Sequence, residues 1–175
     1  MSNLNFINQT DITSGVTTVN VDNVFSNDYR VYFCEIAGVF HNTDVSNGIE
    51  GIRFIDNSGS VITGSEYDNA TLVMKSDTAF QQVRNTSQSY MNMYLITDQQ
   101  SDGVSSSSFY IYTPYESDLY TYMHYQSTGI NSSSKWGAKG ISVHKSEETI
   151  RGFQLYESNG ARTFGGGKIN VYGVQ

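Results

Sequence analysis

Apolar residues recur at every second position in short runs along this 175-residue chain, and turn residues separate the runs. Phe153 and Leu155 share one face of Ile150–Tyr156, and Ile169 and Val171 share one face of Lys168–Val174. Each segment therefore has one side to bury and one to solvate, the signature of a half-buried strand. The same reading predicts strands at Leu4–Ile7, Thr17–Val21, Tyr29–Ala37, Glu50–Ile55, Thr71–Met74, Met91–Thr97, Phe109–Thr113, Leu119–Gln126 and Gly140–His144. No stretch carries apolar residues at helical spacing, so the chain reads as all-β.

Asp56-Asn-Ser-Gly59 and Ser158-Asn-Gly160 carry turn chemistry, because Asn and Gly accept positive φ at little cost. Pro114 closes the strand before it. The serine-rich runs Ser101–Ser108 and Thr128–Ser134 read as exposed loops, and Gly165-Gly-Gly167 as a flexible hairpin loop joining the last two strands. Gly51–Gly59 echoes Gly152–Gly160 in residue class, which suits similar strand-turn units on two facing sheets. The echo is too short to define a repeat array. These features predict an antiparallel β-sandwich, jelly-roll-like, of about 8–10 strands. Residues 1–175 are expected to form one domain, with 1–24 as an N-terminal arm or edge strands. An immunoglobulin-like sandwich fits less well, since one cysteine cannot supply its usual disulfide.

Composition supports the strand reading. Thirteen Tyr and nine Phe stand against a single Pro. Charged residues are 15% of the chain, below the ordinary share of about 25%. The net charge is −7, and the ten Lys and Arg are scattered rather than clustered, which argues against nucleic-acid binding. No run reaches the length of a membrane-spanning helix, and the first residues lack the basic and apolar regions of a signal peptide. Cys34 lies in an apolar run and reads as a buried, inert thiol, compatible with a reducing cytosol.

The chemistry-bearing residues form no recognisable catalytic set, so no enzyme activity, cofactor or metal is expected. His41, His124 and His144 show no metal-ligand spacing. His124 reads as structural or surface, His144 as solvent-exposed, and Glu147-Glu148 as a solvated turn. No serine sits in a Gly-x-Ser-x-Gly elbow. Spacing singles out no carboxylate pair among the seventeen Asp and Glu for glycoside hydrolysis. Asp98–Gly103 offers oxygen ligands without a calcium-loop spacing and reads as a turn.

Aromatic residues are the more informative feature. Tyr110 and Tyr112 share a strand face, Tyr120 and Tyr122 share another, and Trp136 follows a polar run. Rings beside Asn, Asp and Ser suit stacking on sugars or docking a protein partner. These five residues are the candidate contact set. Packing in the core is the alternative use for such rings.

Several segments carry a family resemblance. They are Val24-Phe-Ser-Asn-Asp-Tyr-Arg-Val-Tyr-Phe33, then Gly51–Gly59 with the loop Ser65-Glu-Tyr67, and Leu119-Tyr-Thr-Tyr-Met-His-Tyr125. The last are Ile150-Arg-Gly-Phe-Gln-Leu-Tyr156 and Gly165-Gly-Gly-Lys-Ile-Asn-Val-Tyr-Gly173. In their order these resemble small jelly-roll-like virion structural proteins of tailed bacteriophages, particularly marine ones. The closing segments carry most of the likeness, and Ala79–Ser89 departs from it. The resemblance implies a non-enzymatic virion component, assembled in the host cytoplasm, as a capsid decoration, fibre or tail/baseplate appendage. Its implied partners are other virion proteins of capsid or tail, and copies of itself as a homo-oligomer. A carbohydrate-binding module recognising host surface glycans is the alternative function.

Overall fold

The computed structural model describes residues 3–42, 50–95, 103–131, 134–158 and 162–175. Within them the chain forms β1 (Leu4–Asp11), β2 (Thr18–Val21), β3 (Val31–His41), β4 (Glu50–Asp56), β5 (Tyr67–Lys75) and β6 (Gln81–Gln88). Then follow β7 (Met91–Leu95), β8 (Ser105–Tyr112), β9 (Thr121–Asn131), β10 (Ser134–His144), β11 (Ile150–Glu157) and β12 (Phe164–Val174). One sheet has the order β1-β12-β3-β8-β9-β10-β5-β6, the other β2-β11-β4-β7. Every strand pair is antiparallel.

The pairing is nested from the chain ends inward. β1 pairs with β12, β2 with β11, β3 with β8, and β4 with β7. Rolling such a nested ribbon on itself brings β12 beside β3 and β11 beside β4. That is a jelly roll of eight strands in two four-stranded sheets. Two insertions, β5-β6 and β9-β10, extend one sheet beyond β8 and bring the total to twelve. β6 goes unread in the sequence because it is an edge strand of polar residues with both faces wet.

Four sequence expectations change here. The last two predicted strands do not form a hairpin: β11 lies in the small sheet and β12 in the large one. The echoing segments lie side by side in one sheet, with Phe153 opposite Phe54, rather than on facing sheets. Gly165–Gly167 belongs to β12, where an added Cβ at Gly165 would come within 2.3 Å of the Phe40 ring. Gly165 and Gly166 admit that ring against the backbone, and the segment is not a loose loop. The serine runs are strands as well: β8 starts at Ser105, and β9 and β10 extend to Asn131 and from Ser134. The turn at Ser158–Gly160 and the acidic stretch Asp98–Gly103 lie almost wholly outside the described residues. The Asp56–Gly59 turn forms as expected, with Gly59 at φ 91° and the Asp56 carboxylate accepting from the Ser58 and Ser60 amides.

The serine strands are buried because short hydroxyls hold β7 against the extended sheet. Ser127 donates to the carbonyls of Met93 and Tyr94, and Asn69 accepts from the Asn92 amide and the Ser142 hydroxyl. A polar strand face can therefore be interior when its hydroxyls meet backbone partners. The apolar core lies between the two sheets. Cys34, Ile36, Phe109, Ile169 and Val171 of one face Ile52, Phe54, Phe153 and Leu155 of the other, all fully buried. Burial pushes the Cys34 thiol well up, which leaves it protonated and inert. Two side-chain contacts between polar groups are also wholly buried at the sandwich end where β4 begins. His41 Nε2 stands 3.1 Å from Glu50, and Arg162 stands 3.4 Å from Glu157, whose register partner is Glu50.

Phe153 bridges the layers through Phe109 (5.7 Å, edge-on) and Phe25 (6.1 Å). Phe153→Ala is expected to lower the unfolding free energy by about 3–5 kcal/mol, measured by chemical denaturation, because the rigid surroundings cannot close the void. Three surface aspartates are held below the usual carboxylate range. The Arg151 side-chain hydrogen bond acts mainly at Asp22, the Ser58 hydroxyl at Asp56 and Lys145 at Asp68. Their folded pKa values lie below the unfolded ones, so their contribution is present above about pH 4 and fades as pH falls further. Thermal midpoints across pH are expected to drop below about pH 4, and Asp22→Asn to flatten that drop.

Candidate functional site

Strand alternation sends every second side chain of the large sheet outward, and register aligns these residues into rows. One row crosses all eight strands: Phe6, Tyr172, Phe33, Tyr110, His124, Ile141, Ala70 and Arg84 are successive cross-strand partners. Its rings touch in sequence. Phe6–Tyr172 are 5.7 Å apart between centroids, Tyr172–Phe33 5.9 Å, Phe33–Tyr110 5.1 Å and Tyr110–His124 5.1 Å. Contacts of this kind each add about 0.5–1.5 kcal/mol beyond area burial, so the ladder also stiffens the sheet. Phe6 at one end of the row and Ile141 beyond the last ring are open to solvent, 61% and 63% exposed.

The row has an apolar neighbour on one side and a polar one on the other. Tyr112 pairs with Tyr122, and Tyr122 with Val143. The Tyr112 hydroxyl shares a 2.7 Å hydrogen bond with His124 Nδ1, and both rings stack on Tyr110. Desolvation, then Tyr110, pushes the Tyr112 hydroxyl up, which keeps it protonated. On the other side run Asn170, Glu35, Ser108, Gln126, Lys139, Leu72 and Gln82. The outer face is therefore a band of rings with a hydrophilic border.

At one margin of the band lies a depression of about 480 Å³ lined by Tyr112, Thr113, Asp118, Leu119, Tyr120, Tyr122 and Glu147. Four of the five candidate residues, Tyr110, Tyr112, Tyr120 and Tyr122, thus meet on or beside one surface. Trp136 does not join them. It shares the β10 face of buried Ala138 and Ser142, opposite to Ile141, with Lys75 Nζ 3.7 Å from its ring centroid. Alternation alone could have found Phe33, Tyr172 and Ile141 as outward residues. Their alignment with Tyr110 depends on register between strands distant in sequence, which carries no local signal.

His144 is buried rather than exposed, packed against Tyr67 at 5.0 Å and Phe54 at 5.8 Å. Glu148 is half-buried beside it, while Glu147 is exposed as expected. Desolvation pushes the Glu148 carboxyl up; His144 opposes this and Glu66 adds to it. The expectation of a wholly solvated turn fails because the β10–β11 connection folds back onto the start of β5. Glu66 O accepts there from the Lys145 amide at 2.9 Å.

No protein-family description matches the chain, and no curated protein matches it. Among solved structures, the VP2 subviral particle of infectious bursal disease virus is similar over 95% of this chain and 38% of its own, with 11% identity and a TM-score of 0.17. A mutant VP2 of the same virus, in derived T=1 particles, gives 12% identity over 97% and 38%, with a TM-score of 0.15. The chain spans well under half the length of these viral proteins, and likeness this slight carries no argument about function. The class defined by the fold itself is the antiparallel jelly-roll sandwich.

Because Trp136 lies on the other face, it reports independently of the tyrosines. Lys75→Met, which removes the cation over the indole, is expected to shift its fluorescence emission. Tyr122→Ala is expected to leave that emission unchanged.

Proposed function

We propose that this chain is a non-enzymatic structural module of a bacteriophage virion, a capsid decoration, fibre or tail/baseplate appendage, that docks through the outer face of its large sheet. The observation that carries the reading is the ring row from Phe6 to His124, continued by Ile141, on a sheet face that no layer covers among the described residues. A monomeric sandwich gains little from an outward apolar band, whereas a subunit of a symmetric assembly uses one as its contact. The jelly-roll topology and the sequence resemblance to phage virion proteins support the same role. The chain is expected in purified particles in many copies; its confinement to infected-cell lysate would remove the proposal. Ile141→Lys changes an exposed residue and is expected to alter stability by less than about 0.5 kcal/mol. Combined with Phe6→Ser, it is expected to weaken self-association measured by sedimentation.

Glycan recognition is the second reading, favoured by the depression where Tyr112, Tyr120 and Tyr122 stand beside Asp118 and Glu147. Rings flanked by carboxylates can stack on a sugar face and accept its hydroxyl hydrogen bonds. Binding on a glycan array that Tyr122→Ala abolishes is the expected result for this reading. The absence of signal from a multimeric form would exclude it.

A further inference from the structure

A second cluster lies outside the aromatic face. His144 ends β10, Glu66 immediately precedes β5, and Glu148 lies in the β10–β11 connection; the β5–β10 ladder pairs His144 with Tyr67 and so fixes the first two side by side. His144 Nε2 stands 3.0 Å from Glu66 Oε2 and 3.6 Å from Glu148 Oε1, and the three donor atoms all lie within 4.8 Å of one another. We propose that Glu66, His144 and Glu148 bind one small divalent transition-metal ion, for which Zn²⁺ is the probe.

Three observations carry the proposal. The first is geometric: ligand distances of about 2.0–2.2 Å in a tetrahedron place neighbouring donor atoms about 3.3–3.6 Å apart, and the two imidazole–carboxylate separations bracket that spacing. The second is charge. Nε2 carries at most one proton and can donate it to one carboxylate, yet two converge on it. Lys145, adjacent in sequence, is engaged with Asp68 at 2.8 Å, so it does not compensate them. A cation between the three donors satisfies all of them. The third is orientation. His144 is wholly buried, and its ring is held by Tyr67 and Phe54, while Glu66 and Glu148 are 39% and 35% exposed and leave an entry path. One imidazole nitrogen with two carboxylates suits a first-row divalent ion; Ca²⁺ prefers six or more oxygens, and Mg²⁺ keeps its waters. His144 Nδ1 has no hydrogen-bond partner among the described residues. With Nε2 given to the ion, packing alone would hold the other side of the ring, so affinity is expected to be about 10–100-fold below that of a site whose histidine is also hydrogen-bonded through Nδ1.

The test is calorimetric titration of the chelator-stripped full chain with Zn²⁺ at neutral pH, with thermal unfolding alongside. One Zn²⁺ per chain is expected. Its saturation is expected to raise Tm by about 5–10 °C at a hundredfold excess over Kd, with no rise from Mg²⁺. Glu148→Gln keeps the volume of a half-exposed side chain and is expected to lower the affinity at least about tenfold without unfolding the protein. His124→Asn, which removes a histidine of the outer face, is expected to leave binding unchanged. Lack of stoichiometric binding would overturn the proposal. So would binding that survives Glu66→Gln with Glu148→Gln and disappears with His124→Asn. Virion incorporation is read out separately, so failure here leaves the structural role untouched.

Discussion

The architecture depends on antiparallel pairing between strands far apart in the chain, nested from the ends inward. Because β1 pairs with β12 and β2 with β11, the sheets close only when the two ends of the sequence meet. Each closure costs loop entropy before any apolar burial offsets it, so these contacts form cooperatively rather than strand by strand. The core follows from that arrangement. Phe153 reaches Phe109 only because β11 and β8, separated by two further strands in sequence, lie in opposite layers.

The insertions turn this sandwich into an asymmetric one. β9, β10, β5 and β6 lengthen a single sheet, and β7 spans part of the added inner face through hydroxyl and amide contacts together with its buried Met91, Met93 and Leu95 side chains. Among the described residues the outer face has no such cover. Its row of rings therefore runs from Phe6 on β1 to His124 on β9, each ring touching the next. The same extension aligns the end of β10 with the start of β5, which is why Glu66 and His144 meet although 78 positions apart in sequence. One topological event thus supplies both the aromatic outer face and the carboxylate–imidazole cluster.

Legibility followed burial pattern. Strands with apolar residues at alternate positions, such as β11 and β12, could be read directly, and Phe153, Leu155, Ile169 and Val171 are core as their alternation requires. β6 could not be read, since an edge strand of Gln, Arg, Asn and Ser has no apolar face. The serines of β8 and β9 were misleading for a different reason. Their interior face is satisfied by backbone carbonyls, so polarity there does not report exposure. His144 belongs to the same class, because its neighbours in sequence are polar while its neighbours in space are Tyr67 and Phe54.

By itself the sequence determined the all-β class, most strand positions and which side of each strand is apolar, because alternation is a local property of successive Cβ directions. It also singled out the tyrosines at 110, 112, 120 and 122. Tertiary structure decided which strands are neighbours, and hence that the final two strands part into different sheets. It decided that Trp136 faces away from those tyrosines, and that Phe6, Tyr172, Phe33 and His124 join them. Register is a relation between segments that share no local code, and a shift of one residue exchanges the two faces of a strand. The composition of a surface row or of a ligand cluster therefore exists only once the sheet has closed.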